Sequence, residues 1–158
     1  MAYPRILMDK FIIYMDPSNR FRVRLHRFKT RRQNGGAVEK VHSHKWHMST
    51  ILLRGRYVER VFDVADLDEE TDTANVSEIL CHSLSRGDTN SLAAEIPHQV
   101  VNESDDECAI TLFVRGPSLL KAAKIFDPAA GRFYRTFDPL GQLRVGLEAM
   151  GRLDADFH

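Results

Sequence analysis

From Phe21 to His26 the chain reads Phe-Arg-Val-Arg-Leu-His, apolar and polar in strict turn. That is the pattern of a strand with one covered face. Comparable short runs recur at residues 11–15, 38–44, 48–53, 56–62, 76–84, 91–96, 99–102 and 109–115. Turn-forming clusters punctuate them: Asp16-Pro17-Ser18-Asn19, Gln33-Asn34-Gly35-Gly36, Gly55 and Arg86-Gly87-Asp88. Ile125-Phe126 and Arg132-Phe133-Tyr134 flank Asp127-Pro128-Ala129-Ala130-Gly131, a hairpin signature. Helical spacing is confined to Leu143, Leu147 and Met150, with one further short helix expected over residues 118–124. The acidic stretch 63–72 reads as an exposed loop, and it lacks the glycine and ligand order of an EF-hand. Many short strands with little helix predict an all-β sandwich or barrel.

At 158 residues the chain fits a single domain with a substantial core. Lys+Arg and Asp+Glu balance at 22 each, so bulk charge gives no reason to expect nucleic acid or an anionic membrane as a partner. No apolar run is long enough to span a bilayer, and residues 1–15 carry charges inside their apolar stretch and no small-residue cleavage site. Cys81 and Cys108 form no spacing motif and read as small buried hydrophobes. A reduced, cytoplasmic protein is the simplest expectation.

Histidine changes the picture. Four of the seven histidines fall in two segments, Val41-His42-Ser43-His44-Lys45-Trp46-His47 and Pro97-His98-Gln99-Val100-Val101-Asn102. Imidazole is the commonest neutral metal ligand. Two of them one residue apart on a strand project to the same side. His42 and His44 can therefore aim at one point, and His98 can reach it from another strand. Three neutral imidazoles with open positions suit Fe(II), Mn, Ni, Cu or Zn, and affinity alone does not choose among them.

The order His42-Ser43-His44, short turn, apolar strand and Gly55, then Gly87 to Pro97-His98 and Asn102, resembles the two signature motifs of the cupin superfamily. The resemblance covers residues 20–117 and implies a jelly-roll barrel with the metal inside. A C-terminal hairpin and helix over residues 118–158 complete the single domain. Many cupins carry a ligand glutamate seven positions before the glycine; here that position is Met48. The thioether is a poor ligand for a hard metal site. The expected centre is thus three-His. His47, one position earlier, is either a fourth ligand, a group that supports the ligands, or part of the pocket wall. A three-His cupin without the glutamate is similar to the thiol dioxygenases of the cysteine dioxygenase group, which implies Fe(II), O2 and a small anionic substrate, with a thiol as the class to test first.

A neutral ligand set leaves the metal its full charge and favours an anionic, chelating substrate. Arg22 and Arg24 share one face of their strand. They either form an exposed basic face or point inward to take a substrate carboxylate as a bidentate pair. Tyr57 and Glu59 share a parity and lie either at the pocket, with Tyr57 in contact with substrate, or in the core or surface. Trp46 either roofs the pocket beside Met48 or packs on the barrel rim. Two other classes compete: a non-redox metal cupin (isomerase, lyase or decarboxylase), and a small-ligand-binding module. The absence of a helix-turn-helix pattern argues against a regulator. Known folds of this kind form dimers, so a homodimer is expected, with the β-rich segment 5–15 as the pairing strand.

Overall fold

The computed structural model describes residues 7–136. Eleven strands and one helical turn follow in order: β1 Met8–Met15, β2 Arg22–Phe28, α1 Arg31–Asn34, β3 Val41–His42, β4 Met48–Arg54, β5 Arg56–Asp68, β6 Thr73–Ser85, β7 Thr89–Leu92, β8 His98–Val101, β9 Ala109–Arg115, β10 Ala123–Asp127 and β11 Arg132–Thr136. Every pairing is antiparallel. One sheet has the order β1-β2-β9-β4-β7; the other strands, β10-β11-β6-β5-β8-β3, close into a ring. This is the all-β architecture that the strand pattern predicts, in the jelly-roll form that the resemblance implies.

Two apolar clusters hold it together. Phe28, Leu52, Tyr57, Leu84, Val100 and Ala109 join the five-stranded sheet to the ring. Val41, Phe62, Ala74, Phe126 and Phe133 fill the ring itself. Two features, one side chain and one glycine turn, tie the loops to these clusters. Asn102, which ends the second histidine segment, donates from Nδ2 to the carbonyls of Phe28, Lys29 and Glu107. Gly55, between β4 and β5, has φ +74°, and a Cβ there would stand 2.6 Å from the Cys108 carbonyl oxygen. No other residue fits that turn without displacing backbone.

Several expectations are corrected. The acidic stretch is not a loop: β5 runs on to Asp68 and β6 starts at Thr73, so most of it belongs to a long hairpin. Cross-strand pairing continues through Val64 with Val76, which outweighs the local polarity. No helix forms over residues 118–124, where the last two residues already belong to β10. The helical turn lies instead at Arg31–Asn34, where Thr30 and Gln33 form a capping box and Gly35 closes it at φ +63°. The strand expected over residues 38–44 shortens to Val41–His42, and that over 91–96 shifts to Thr89–Leu92. Cys81 is exposed and Cys108 half-buried, so neither is the buried hydrophobe expected. The helix suggested by Leu143, Leu147 and Met150 lies outside the described residues.

Strand β2 carries the correction that matters most for function. Its polar side, with Arg22, Arg24 and His26, faces a cavity between the two sheets, while Phe21 is left exposed. The apolar side of the alternation therefore points out of the barrel. There Leu25 aligns with Phe11 of β1 and Leu112 of β9, and Leu112 aligns in turn with Ile51 of β4. Among the described residues no helix is long and apolar enough to cross a membrane.

Candidate metal centre and its cavity

His42, His44 and His98 converge, with their ligand atoms all within 4.8 Å of one another. They do so differently from the sequence expectation. Strand β3 ends at His42, and His44 lies in the irregular segment that follows, just before a bend at Lys45 and Trp46. The backbone there is held by hydrogen bonds from Ser43 N–H to the Lys124 carbonyl and from His44 N–H to the Ala94 carbonyl. His98 opens β8 and sits directly opposite His42 across the β3–β8 ladder. Directly opposed residues point to the same face of a sheet, so this single pairing brings the two histidine segments together.

Hydrogen bonds select which nitrogens are free. His42 Nδ1–H donates to the Lys40 carbonyl at 3.0 Å. His98 Nδ1–H donates to Glu59 Oε1 at 2.7 Å. Both rings therefore present Nε2 with its lone pair. His44 Nε2 lies 2.9 Å from His98 Nε2. Two nitrogens about 2.1 Å from one ion and roughly perpendicular around it lie ~3 Å apart, so this spacing fits two ligands of a common metal. Burial, reinforced by the neighbouring His42 and His98, pushes the His44 imidazole down to about 2. Burial likewise lowers His42, against the opposing pull of Glu39. Neutral rings with free lone pairs are the form a metal requires.

Glu59 is the residue that organises the centre from behind. It is 1% exposed and receives hydrogen bonds from His98, from His82 Nε2 at 3.1 Å, and from Asn90 Nδ2. Burial works to raise its carboxyl, but the hydrogen bonds from His98 and His82 outweigh that and leave it below its usual value. A carboxylate behind a ligand histidine fixes the ring tautomer and raises its basicity. Glu59 was legible only as a parity partner of Tyr57. His82 and Asn90 carried no sequence signal.

The remaining expected residues separate clearly. Met48 is buried and lines the cavity, so the position seven before Gly55 offers a thioether there. His47 is exposed, accepts the Ala94 N–H at Nδ1 and stands apart from the three converging histidines. Met48 faces inward, and His47 lies outside the group of converging histidines. Tyr57 packs in the core with Phe28 rather than against the cavity, and its burial raises the phenol to about 12. Trp46 does line the cavity and stacks on His44 with centroids 5.7 Å apart. A carboxylate stands nearby after all: Glu39 Oε2 accepts the Val100 N–H at 3.1 Å, and its Oε1 is 4.0 Å from His42 Nε2.

The three histidines open onto a cavity of ≈ 650 Å³. That is the volume of a small-molecule site. Six cations line it (Lys10, Arg22, Arg24, Lys40, Lys45 and Arg115) against one carboxylate, Glu39. The whole chain is charge-balanced, so this excess is local.

No protein-family model and no curated protein sequence matches the chain. Solved structures do. An oxalate decarboxylase of Lactobacillus farciminis, in its formate complex, matches with a TM-score of 0.50 and 18% identity, over 71% of this chain and 29% of that one. An RmlC-like cupin family protein with a double-stranded β-helix fold, from Methanocaldococcus jannaschii, matches with a TM-score of 0.48 and 10% identity, over 71% and 82%. A protein of Thermus thermophilus reaches 24% identity at a TM-score of 0.46, over 74% and 90%. This chain thus spans under a third of the decarboxylase it matches. At these identities the likeness speaks for the fold alone, an all-β jelly roll.

Proposed function

We propose that this cupin-fold protein is a metal-dependent enzyme, a non-haem Fe(II) oxygenase that acts on a small anionic substrate with O2. The convergence of His42, His44 and His98 in the wall of a cationic cavity carries this reading. His42 and His98 would hold the metal through Nε2, oriented by Lys40 and Glu59, with His44 as the third ligand. When bound there, Fe(II) would supply adjacent coordination positions at which substrate and O2 meet.

The chain's own groups account for the rest. Arg22, Arg24 and Arg115 attract and orient an anion. Met48, Phe113 and Trp46 supply apolar wall next to the histidines, which excludes water and strengthens every charge interaction inside. Met48 in place of a carboxylate leaves the ligand set neutral, which favours a thiolate, enolate or carboxylate as the substrate's donor.

The test is anaerobic reconstitution with Fe(II), followed by O2 uptake across a panel of anionic thiols, hydroxy acids and carboxylates. Substrate-dependent O2 consumption that His98→Ala abolishes is the expected result. Tight zinc binding with no O2-dependent turnover by the iron form would overturn the oxygenase reading in favour of a Lewis-acid isomerase, lyase or decarboxylase. Metal binding with ligand retention and no turnover at all would mark a binding module.

A further inference from the structure

Arg22 and Arg115 are directly opposed across the β2–β9 ladder. Like charges in that position repel, and sheets normally avoid it. Here the repulsion is built in. Asn19, at the turn before β2, accepts Arg22 Nη2 at 2.7 Å and Arg115 Nη2 at 2.5 Å on one oxygen, Oδ1. Asn19 itself sits at φ +54°, the left-handed turn conformation that asparagine tolerates. Arg115 is 4% exposed, and its Nε is buried without a partner. The Nε atoms of Arg22 and Arg24 are buried without partners too. Among the described residues none of the three guanidiniums has a carboxylate within ion-pair distance. Burial holds the Arg24 guanidinium below its usual value, and the charges of Arg22 and Arg115 add to that.

Aromatic rings set the distance from this cationic cluster to the histidines. Arg115 Cζ lies 4.9 Å from the Trp46 ring, and Trp46 stacks on His44 at 5.7 Å. Arg24 Cζ lies 5.9 Å from the Phe113 ring, and Phe113 is 6.5 Å from His44. One aromatic side chain thus separates the two poles along either path. A molecule of a few bonds reaches from one to the other.

We infer that the cavity recognises a bipolar small molecule that carries a doubly charged head group, a phosphate monoester or a paired dicarboxylate, on Arg22, Arg24 and Arg115. Its other end would place a donor atom at the histidines. A single carboxylate satisfies one guanidinium fork; three guanidiniums that line one cavity with no carboxylate partner, and with neutral oxygens of Asn19 and Gly116 as their hydrogen-bond acceptors, call for more charge and more acceptor oxygens than that. The inference deepens the proposed function and rests on it only for the metal-binding end.

The anion pole can be tested without the metal. Protein stripped with excess chelator is titrated calorimetrically with inorganic phosphate, malonate and acetate at constant ionic strength, and its melting temperature is followed in parallel. Phosphate or malonate should bind saturably, at least about tenfold tighter than acetate, and raise the melting temperature. Arg115→Met and Arg24→Gln, each checked for native circular dichroism, should each weaken that binding about tenfold or more. Preference for phosphate over malonate identifies a phosphorylated head group, and the reverse a dicarboxylate. Acetate binding as tight as phosphate and malonate, no saturable binding to folded protein, or unchanged binding by both folded variants would overturn the inference. His98→Ala separates the two proposals: it should remove metal from the reconstituted protein and leave phosphate or malonate binding to the stripped protein within about twofold. Metal loss without any dianion binding sinks this inference alone; dianion binding by a protein that never holds metal sinks the enzyme reading alone.

Discussion

His98 is fixed by Glu59: Nδ1 and Oε1 lie 2.7 Å apart in a site where both side chains are buried. The bond decides which ring nitrogen faces the cavity. It also explains why β5 carries a carboxylate among otherwise apolar buried positions. Glu59→Gln keeps the volume but removes the negative charge and one of the two acceptor oxygens, so the amide can accept from His98 or from His82 and Asn90, not from both sides. The expected result is a fold that survives and a metal affinity lower by about 10–100-fold. Competition with a chromophoric chelator measures it. Affinity within about twofold of the parent would show that Glu59 only fills space.

His98→Ala and His47→Ala should part company. His98 contributes one of three converging nitrogens, so its loss should leave the reconstituted protein with little bound metal after gel filtration. His47 is exposed and spends Nδ1 on the Ala94 N–H. His47→Ala should therefore retain the full metal complement by elemental analysis and lose at most about 1 kcal/mol of stability with that hydrogen bond. Equal metal loss in both variants would return His47 to the ligand set.

The histidines were legible because their spacing is itself the signal, and Met48 was legible from its distance to Gly55. Glu59 and Arg115 were harder. Each sits at an inward position of a strand, and alternation says that such a residue is inside without saying what meets it there. The inside–outside choice for β2 was ambiguous for the same reason. Its apolar face looks like a core face, and only the packing of one sheet over the other, which puts Arg22, Arg24 and His26 on the cavity, shows that the arginine side is the inner one. The long β5–β6 hairpin was hidden because a run of acidic residues outweighs β propensity locally but not when a partner strand is supplied.

His26 predicts an acid sensitivity. It stacks on Phe113 at 4.6 Å, and its Nε2 is buried without a partner. Burial, with the charges of Lys10 and Arg24 beside it, lowers the imidazole from 6.5 to about 3. In the unfolded chain the ring takes up a proton near pH 6.5, whereas in the folded chain it does not until about 3. Stability is then flat above the unfolded value and falls as pH drops through that window, by up to about 1.4 kcal/mol per pH unit from this group. His26→Phe keeps the stack and cannot titrate. Denaturant melts at a series of pH values should show a shallower acid loss in the variant. Parallel curves would mean that His26 is protonated in the folded protein.

The outer face of the five-stranded sheet predicts self-association. Phe11, Leu25, Leu112 and Ile51 form one row across four strands, and Tyr14, Val23 and Val114 form a second beside it. Phe11, Tyr14 and Val114 are exposed. The rows run to β1, an edge strand whose outer main-chain groups have no ladder partner among the described residues. An apolar face that continues onto an open edge suits another copy of the same strand, because antiparallel pairing about a two-fold axis satisfies the edge and covers the rows at once. We propose that a second copy of this chain sits there. Light scattering should give twice the 18.1 kDa chain mass for the parent protein. Phe11→Glu combined with Val114→Glu should give the single-chain mass with an unchanged circular dichroism spectrum, since carboxylates set on opposed faces repel and resist burial. A parent protein that is monomeric at concentrations of tens of micromolar, or a folded double variant that still dimerises, would remove this face from consideration.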